Sequence, residues 1–305
     1  MNENKITKET LVSDLKALGI QEGDILNVKI SFKSIGKIEG GVDTLIDALL
    51  ETVGKQGTII SDAFVKTKLL LLCQKRAGKI STNETPSYAG LIANTILKNP
   101  LSKRSPHPVQ KFAAIGREVD IVLLHDANSK PYSVLHKMAE MGAKNLRVGS
   151  PDKVVGVGTT HVAIDLLRYK QNILKSGIDY YNEKGELKTF VANWSTGCRK
   201  SFNNLLPLYE QNGCVLNKGK VGNSEAMLTD MQKTLEMEMN LGKENPNFVM
   251  CNDPCCYKCR ITWEHSSGTL LKVVWANLRK GKKKNFENII TAIYLSIFKN
   301  WQPAN

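Results

Sequence analysis

The sequence has no apolar run long enough to cross a membrane, and its first residues lack the pattern of a secretory signal. A membrane-spanning helix needs about 18 or more apolar residues in succession, whereas the longest apolar stretch is the short LLLLC at Leu69–Cys73. The first ten residues, MNENKITKET, have no apolar core. We therefore expect a cytoplasmic protein with no membrane partner.

Two glycine-rich nucleotide signatures are also missing. Neither the GK[ST] of a P-loop nor the GxGxxG of a dinucleotide-binding fold occurs in the chain. Aromatic residues make up 7% of the sequence and are not interleaved with basic clusters, as binding to single-stranded nucleic acid would require. We expect no nucleic-acid partner, and a zinc-containing nucleic-acid-binding protein is the alternative from another functional class.

Acidic residues are in the minority. The chain has 29 aspartates and glutamates and 42 lysines and arginines, which gives a net charge of +13. A balance this basic is typical of proteins with a polyanionic partner, such as nucleic acid, an anionic membrane or a ligand with several phosphates. The one dense run, RKGKKK at Arg279–Lys284, is interpreted as a solvated surface turn.

Apolar segments of strand and helix periodicity alternate through the first half of the chain, which predicts an α/β fold with a layered sheet. The second half adds a predicted hairpin around Asn182–Gly185 and a predicted helix at Ala226–Leu241. Because the sequence shows neither internal repeats nor low-complexity linkers, we expect one domain over residues 1–305. The predicted strands of the first half are Ile25–Ile30, Thr58–Ala63, Asn145–Val148 and Val154–Val157, and its best-defined helix is Val42–Val53.

The segment VVGVGTTHVAIDLL at Val154–Leu167 predicts a strand, a tight turn and a helix start. In open α/β sheets such junctions often carry the chemistry. Thr159 or Thr160 can cap the helix, which places His161 in its first turn. A histidine there has a pKa near the working pH, or somewhat below it, and suits a general base. The alternative is a half-buried histidine satisfied by backbone groups.

The glycine-rich segment SFKSIGKIEGG at Ser31–Gly41 is predicted to be a polar loop that leaves a buried strand and opens a helix. Free N–H groups at such a helix start form an anion site. Gly40 and Gly41 would supply these groups, with Ser31, Lys33 and Ser34 as nearby donors. An ordinary surface turn is the alternative.

Seven cysteines are too many to be disulfides in a cytoplasmic chain, and four of them lie between Cys251 and Cys259. Cys251, Cys256 and Cys259 form a C-x4-C-x2-C pattern, which is typical of a tetrahedral zinc site. Cys255 is an alternative to Cys256, and Cys198 or His265 is the candidate fourth ligand. We predict a structural zinc within a cysteine-rich subregion at residues 244–267; free thiols are the alternative.

Three motifs, in order, are similar to the aminoglycoside 3-N-acetyltransferase family. They are GDILNVKISFKSIGKIEGG, SKRSPHPVQKFAAIG and GVGTTHVA. The resemblance implies an α/β/α three-layer fold with a central mixed sheet, and an acyl-CoA-dependent N-acyltransferase. It places the CoA phosphates near Ser31 and Gly40–Gly41 and the general base at His161. Direct transfer to an amine requires such a base, because a protonated amine has no lone pair for attack.

The sequence departs from the family where the acceptor and the partner of the base would be held. Lys29 and Ile30 replace a histidine and a serine, and Ile164 replaces a glutamate, with Asp165 one place later. The second half also resembles the branch of the family that acylates sugars in polysaccharide (O-antigen) pathways. With the positive charge, these features favour a nucleotide-linked amino-deoxy sugar as acceptor. The alternative is an aminoglycoside 3-N-acetyltransferase.

The expected partners are acyl-CoA and a nucleotide sugar, and the expected assembly is a homodimer. We predict three sets of functional residues around the motifs described above: catalytic residues, cofactor contacts and metal ligands. A carboxylate partner for the base would come from a distant part of the chain, with Asp62 and Asp179 as candidates. The catalytic residues are His161, Thr160 and His107; the cofactor contacts are Ser31, Lys33, Ser34, Gly40, Gly41, Lys103 and Ser105; the metal ligands are Cys251, Cys256, Cys259 and Cys198.

Overall fold

The computed structural model describes residues 5–70, 75–171, 175–192, 194, 197–263, 270–279, 289, 290 and 293. The helices among them include none long and apolar enough to cross a membrane. The strands are β1 Ile25–Ile30, β2 Thr58–Asp62, β3 Lys68–Leu69, β4 Lys103–Arg104, β5 Phe112–Gly116, β6 Lys144–Val148, β7 Ser176–Tyr181, β8 Leu187–Ala192, β9 Val215–Val221 and β10 Ser224–Asp230. The α-helices are α1 Lys8–Ala17, α2 Phe32–Ile35, α3 Val42–Val53, α4 Leu91–Ile96, α5 Asp120–Leu123, α6 Ser133–Glu140, α7 Thr159–Leu166, α8 Arg199–Asn203, α9 Leu206–Gln211, α10 Met231–Glu244 and α11 Leu270–Arg279.

A seven-stranded sheet in the order β4-β5-β2-β1-β6-β10-β9 forms the centre of the molecule. Its middle strand β1 runs parallel to β2 and to β6, whereas the remaining neighbours in the sheet pair antiparallel. The predicted mixed sheet is therefore confirmed. A second, antiparallel sheet has the order β3-β7-β8, and its β7–β8 pair confirms the hairpin predicted around Asn182–Gly185.

Helices cover both faces of the large sheet, because successive side chains of a strand point to opposite sides. Ile59 of β2 packs in the core with α1, α3 and α4. Its neighbour Ile60 packs in the core with α6, α7 and α10. Both side chains are fully buried, and full burial of such a residue stabilises the fold by about 1.5–3 kcal/mol.

Local signals explain the helix boundaries near the N-terminus. The hydroxyl of Thr7 accepts a hydrogen bond from the backbone N–H of Thr10 and caps α1. Gly19, with a φ of +95°, follows the end of that helix. The predicted strand Ile25–Ile30 and helix Val42–Val53 have the bounds that the sequence indicated.

The predicted strand Val154–Val157 is absent, because β10 already pairs with the edge of β6 that it would need. These residues form an irregular segment in which the Arg147 guanidinium donates to the carbonyl of Val154 at 3.0 Å. The apolar run reflects burial of Val154 and Val157 rather than a strand. The predicted helix Ala226–Leu241 was also wrong in its first part, because residues 226–230 belong to β10.

Candidate active site

A cleft of about 1110 Å³ opens where the carboxyl ends of β1 and β2 meet the first turn of α7. Its wall also includes the start of α8 and residue Lys258 from the C-terminal part of the chain. Ligands of open α/β sheets bind at the carboxyl ends of parallel strands. The volume exceeds that of an ordinary small-molecule pocket, so two ligands can meet inside it.

His161 lines this cleft and is held by two aromatic side chains. Its ring stacks on Tyr132 with centroids 4.4 Å apart and an interplanar angle of 6°. The ring of Phe202 makes an edge contact with it, with centroids 4.9 Å apart and an interplanar angle of 84°. Aromatic contacts of these kinds contribute about 0.5–1.5 kcal/mol each beyond burial. They fix the plane of the imidazole in the cleft wall.

Burial, and secondarily the positive charge of Lys29, lowers the pKa of His161 to about 3. The location in the first turn of α7 acts in the same direction, because a helix N-terminus disfavours positive charge. The imidazole is therefore neutral at physiological pH, and its pKa lies further below neutrality than the sequence led us to expect, because the ring is desolvated in the cleft wall. One ring nitrogen of a neutral imidazole has a free lone pair and can accept a proton.

Asp62 is the single carboxylate among the described residues that line the cleft. The Lys29 ammonium lies 3.4 Å from the Asp62 carboxylate, and the side-chain amide of Gln110 donates to the same group at 3.3 Å. About four-fifths of both charged side chains is buried. A partly desolvated carboxylate of this kind attracts a cationic ligand more strongly than one in bulk water.

Positive charge surrounds the rest of the cleft. Lysine and arginine side chains enter its wall from five separate segments of the chain, so several phosphate groups could be neutralised at once. Lys66 lies over the ring of Tyr88, at 5.4 Å from its centroid. The cations of the wall are Lys29, Lys33, Lys66, Lys153, Arg199 and Lys258.

Thr160, predicted as catalytic, is instead fully buried beneath the cleft. Its hydroxyl donates to the carboxylate of Glu238 at 2.6 Å, and the hydroxyl of Tyr209 donates to the same oxygen. Burial raises the pKa of Glu238 to about 7, and its second oxygen lacks a hydrogen-bond partner among the described atoms. Thr160 anchors α7 to α10 through this network, and its hydroxyl is directed away from a substrate in the cleft.

Glu238 was missed by the sequence reasoning. The signal that could have found it is the spacing of Met231, Thr234 and Glu238, which lie three and seven residues apart on one face of α10 and are all fully buried. A carboxylate on a buried helix face needs partners inside the protein.

His161 has no carboxylate of its own on α7. Asp165, one place after the position of the family glutamate, forms an ion pair with Lys130 at 2.9 Å. Ile164 packs in an apolar cluster with residues such as Val157 and Tyr209. Of the two distant candidates, Asp62 lines the cleft with His161, whereas Asp179 accepts from Thr189 and from backbone N–H groups of residues 77 and 78.

His107 is separated from the cleft rather than paired with His161. It is fully buried, it is not among the residues that line the cleft, and its Nδ1 accepts from the backbone N–H groups of Val109 and Gln110 at 3.0 and 2.9 Å. Its ring stacks on His125 at 4.6 Å. The prediction of a catalytic role does not match this geometry, because the accepting nitrogen is already occupied.

Two predicted cofactor contacts beside it also lie elsewhere. Ser105 is fully buried, and its hydroxyl accepts from the N–H of Phe112 at 2.8 Å. Lys103 is an exposed residue of β4 that pairs with Ala114. Neither lines the cleft, so the sequence SKRSPHP shapes the edge of the large sheet.

The predicted phosphate loop at Ser31–Gly41 is divided in two by the short helix α2. Ser31, Lys33 and Ser34 line the cleft, and the hydroxyl of Ser34 donates to the carbonyl of Ser31 at 2.7 Å. Gly40 and Gly41 instead form the exposed start of α3 and do not line the cleft. Their φ values of +73° and +77° explain why glycine is present there.

The four cysteines predicted as metal ligands lie together. The sulfur atoms of Cys198, Cys251, Cys256 and Cys259 are all within 4.8 Å of one another. Cys255, the alternative to Cys256, is outside this group. His265, the alternative fourth ligand, and residues 264–267 of the predicted subregion lie outside the described residues, as does most of the basic run Arg279–Lys284.

The sequence matches the family model of aminoglycoside 3-N-acetyltransferases over residues 28–241. Aminoglycoside N(3)-acetyltransferase III of Salmonella sp is 28% identical over 166 residues, which are 48% of this chain and 56% of the relative. An aminoglycoside N(3')-acetyltransferase-like protein of Bacillus subtilis, YokD, is 29% identical over 133 residues, 38% of this chain and 49% of the relative. The chain thus spans about half the length of the curated relatives it matches.

The fold matches those of solved aminoglycoside acetyltransferases. AAC-IIIb, in its binary complex with CoASH, has a TM-score of 0.69 at 21% identity, over 79% of this chain and 98% of that one. AAC-VIa bound to sisomicin has a TM-score of 0.68 at 23% identity, over 79% of this chain and 98% of that one. At these identities the likeness shows a shared fold.

These comparisons overturn the prediction of a nucleotide-linked amino sugar as acceptor. The relatives named above are aminoglycoside acetyltransferases or proteins like them, and none supports the nucleotide-sugar branch. A net charge of +13 describes the whole chain and does not identify the acceptor, because the cleft combines a basic wall with the carboxylate of Asp62. The family model covers well over half of the chain, and the protein therefore belongs to the aminoglycoside 3-N-acetyltransferase family.

Proposed function

We propose that this protein is an acetyl-CoA-dependent N-acetyltransferase that acylates an amino group of an aminoglycoside, the 3-amino group by the name of its family. The observation that supports the proposal most strongly is the position of His161. Its neutral imidazole lines a cleft with room for two substrates and is held there by Tyr132 and Phe202. A direct acyl transfer requires a base in this position.

In the proposed reaction, His161 accepts a proton from the attacking amine. The nitrogen lone pair forms a bond to the thioester carbonyl carbon, and the carbon–sulfur bond then breaks. The proton held by the imidazolium passes to the departing CoA thiolate, so the histidine returns to its neutral form. The second proton that the acceptor nitrogen loses on forming the amide passes to solvent. The products are an acetamide and free CoA, and no oxidant or further co-reactant is needed.

Acetyl-CoA would place its phosphates against the basic wall. Lys33 follows Ser31 at the end of β1, whereas Lys153 and Arg199 line the cleft from two other segments of the chain. The backbone carbonyl of Asp152 accepts a hydrogen bond from the Arg199 guanidinium, which links these two segments. Charge-assisted bonds from such side chains are the strongest contacts that a phosphate makes with a protein.

An aminoglycoside carries several positive charges, and Asp62 is the proposed anchor for one of its ammonium groups. The ligand would displace the 3.4 Å contact of Lys29. Bound acetyl-CoA would neutralise part of the basic wall and so favour entry of the cationic acceptor. We therefore expect each substrate to strengthen the binding of the other.

The four-cysteine cluster takes no part in the proposed chemistry. Four thiolates would complete the tetrahedral coordination of a zinc ion, so no position would remain open for a substrate.

The proposal is tested by incubating the protein with acetyl-CoA and either sisomicin or gentamicin, then analysing the products by mass spectrometry. We expect the antibiotic to gain the mass of one acetyl group, with release of an equal amount of CoA. Protein that binds acetyl-CoA but transfers no acetyl group to any of several aminoglycosides would contradict the proposal. The control is His161→Asn, which removes the base from the same cleft.

A further inference from the structure

We propose that Cys198, Cys251, Cys256 and Cys259 bind one structural zinc ion. All four sulfur atoms lie within 4.8 Å of one another, and those of Cys198 and Cys256 are 3.5 Å apart. In a tetrahedral zinc site with Zn–S bonds of about 2.3 Å, the sulfurs are about 3.8 Å from one another. The cluster therefore has a size that suits a single zinc ion.

The backbone presents these thiols as metal-binding turns do. Cys256 and Cys259 are three residues apart, and the carbonyl of Cys256 accepts from the N–H groups of Cys259 and Arg260 at 3.2 and 3.0 Å. The N–H of Cys251 donates to the sulfur of Cys259 at 3.2 Å. Such a bond stabilises negative charge on the sulfur, which is the form that binds zinc.

The surroundings carry the charge that a zinc site with four thiolates needs. Such a site has a net charge of −2, and two basic side chains of the C-terminal segment bind backbone carbonyls beside the cysteines of both segments. The Arg260 guanidinium donates to the carbonyl of Cys251 at 2.7 Å. The Lys258 ammonium donates to the carbonyl of Gly197, next to Cys198, at 3.1 Å. These groups place positive charge beside the cluster.

The two other described cysteines do not belong to this group. The backbone of Cys255 is held by Asp253 and by Asn277, at 3.0 Å each, and its sulfur is outside the cluster. Cys214 packs in a separate apolar core with Tyr209. Both cysteines are buried, so a buried cysteine in this protein is not by that fact a metal ligand.

The zinc would join segments that are far apart in the chain and close to the active site. Cys198 and Cys256 are 58 residues apart in sequence. Cys198 also caps α8, where its carbonyl accepts from the N–H of Phe202 at 3.2 Å. Because Phe202 contacts His161, the ion would hold one wall of the cleft in place. Its role is structural, and this inference stands whether or not the proposed acetyl transfer is correct.

Elemental analysis of wild-type protein, purified without added metal or chelator, tests the proposal first. We expect about one zinc per chain and little iron. After exchange with cobalt, the protein should show the visible d–d bands and thiolate charge-transfer absorption of tetrahedral cobalt with sulfur ligands. Metal-free protein with four reactive thiols, two disulfides found by mass spectrometry, or iron in place of zinc would each overturn the proposal.

Adjacent cysteines provide a matched pair of variants. Cys256→Ser should lower the zinc content several-fold and abolish the cobalt spectrum, whereas Cys255→Ser should retain both. If both variants keep a full complement of zinc, the ion is bound elsewhere and the assignment is wrong. The wild-type measurements keep the proposal testable even if Cys256→Ser fails to fold.

Discussion

The wall of the cleft contains a partly buried histidine, and the SKRSPHP segment at the edge of the large sheet contains a fully buried one. The two side chains differ in what their ring nitrogens contact. His161 is held through its ring faces and edges by Tyr132 and Phe202. The ring of His107 also stacks on a neighbour, His125, but its Nδ1 accepts two backbone N–H groups as well. Burial lowers the pKa of both to about 3, so a low pKa alone does not identify the base.

The difference shows what a catalytic histidine needs besides a neutral ring. Aromatic contacts fix the orientation of His161 without occupying its nitrogen atoms, and its ring reaches a space where a substrate can bind. The hydrogen bonds of His107 consume the lone pair that a base would use. Substitution of His161 should therefore lower turnover, whereas substitution of His107 should lower stability.

The largest effect is expected for His161→Asn. Loss of a general base lowers turnover by about 10²- to 10⁴-fold, and binding of acetyl-CoA should change little because the cations of the wall remain. Steady-state kinetics and calorimetric titration with CoA measure the two quantities. Equal losses in binding and turnover would mean that His161 supports the shape of the cleft instead.

For His107→Leu we expect a loss of stability rather than of turnover. The N–H groups of Val109 and Gln110 would lose their acceptor, and two unsatisfied buried donors cost about 2–6 kcal/mol together. Urea unfolding measures the change. His136→Gln, at a half-exposed histidine of α6, is the control and should stay within about 0.5 kcal/mol. A stable His107→Leu protein with little turnover would reverse the assignment.

Stability should fall as the pH decreases from about 6.5 to 5. Burial lowers the pKa of His107 and of His161 to about 3 and that of His125 to about 4, below the unfolded value of about 6.5. In this range the unfolded chain binds protons that the folded chain does not, so stability rises with pH, by up to about 1.4 kcal/mol per pH unit for each histidine at the acid end of the range. Urea unfolding across the range checks the slope, and a flat profile would contradict it.

The smallest effect is expected for Asp62→Asn. Removing the carboxylate weakens the attraction for a cationic acceptor, and we expect KM for the aminoglycoside to rise about tenfold, or about 1.4 kcal/mol. The KM for acetyl-CoA should remain within about twofold. Kinetics with each substrate varied in turn distinguish the two. A change confined to acetyl-CoA would mean that Asp62 belongs to the cofactor side of the cleft.

Much of the first half of the fold could be predicted, because its signals are local. β1 and α3 have apolar patterns of the right period, and α3 lies between Gly41 and Gly54; the structure has the bounds that these signals indicate. Val154–Val157 failed because a buried irregular segment and a buried strand are both apolar. Only the pairing of β6 with β10 decides between them, and that pairing is not local.

The candidate site was predictable in part for the same reason. The TTH motif placed His161 in the first turn of α7, and the structure puts that turn at the cleft. Glu238 and Asp62 come from other parts of the chain, and their contacts depend on packing between elements. The spacing of the cysteines indicated three members of the cluster, whereas Cys198 joins them only through the tertiary structure.

The central claim, that His161 accepts the proton of the attacking amine, is tested most directly by a single-turnover measurement. Enzyme saturated with acetyl-CoA is mixed rapidly with sisomicin, and the acetylated product is counted before product release can limit the rate. We predict that His161→Asn forms product about 10²- to 10⁴-fold more slowly than the wild type, with an unchanged acetyl-CoA complex. A folded variant that forms product at nearly the wild-type rate would show that the amine arrives without its proton and that His161 is not the base.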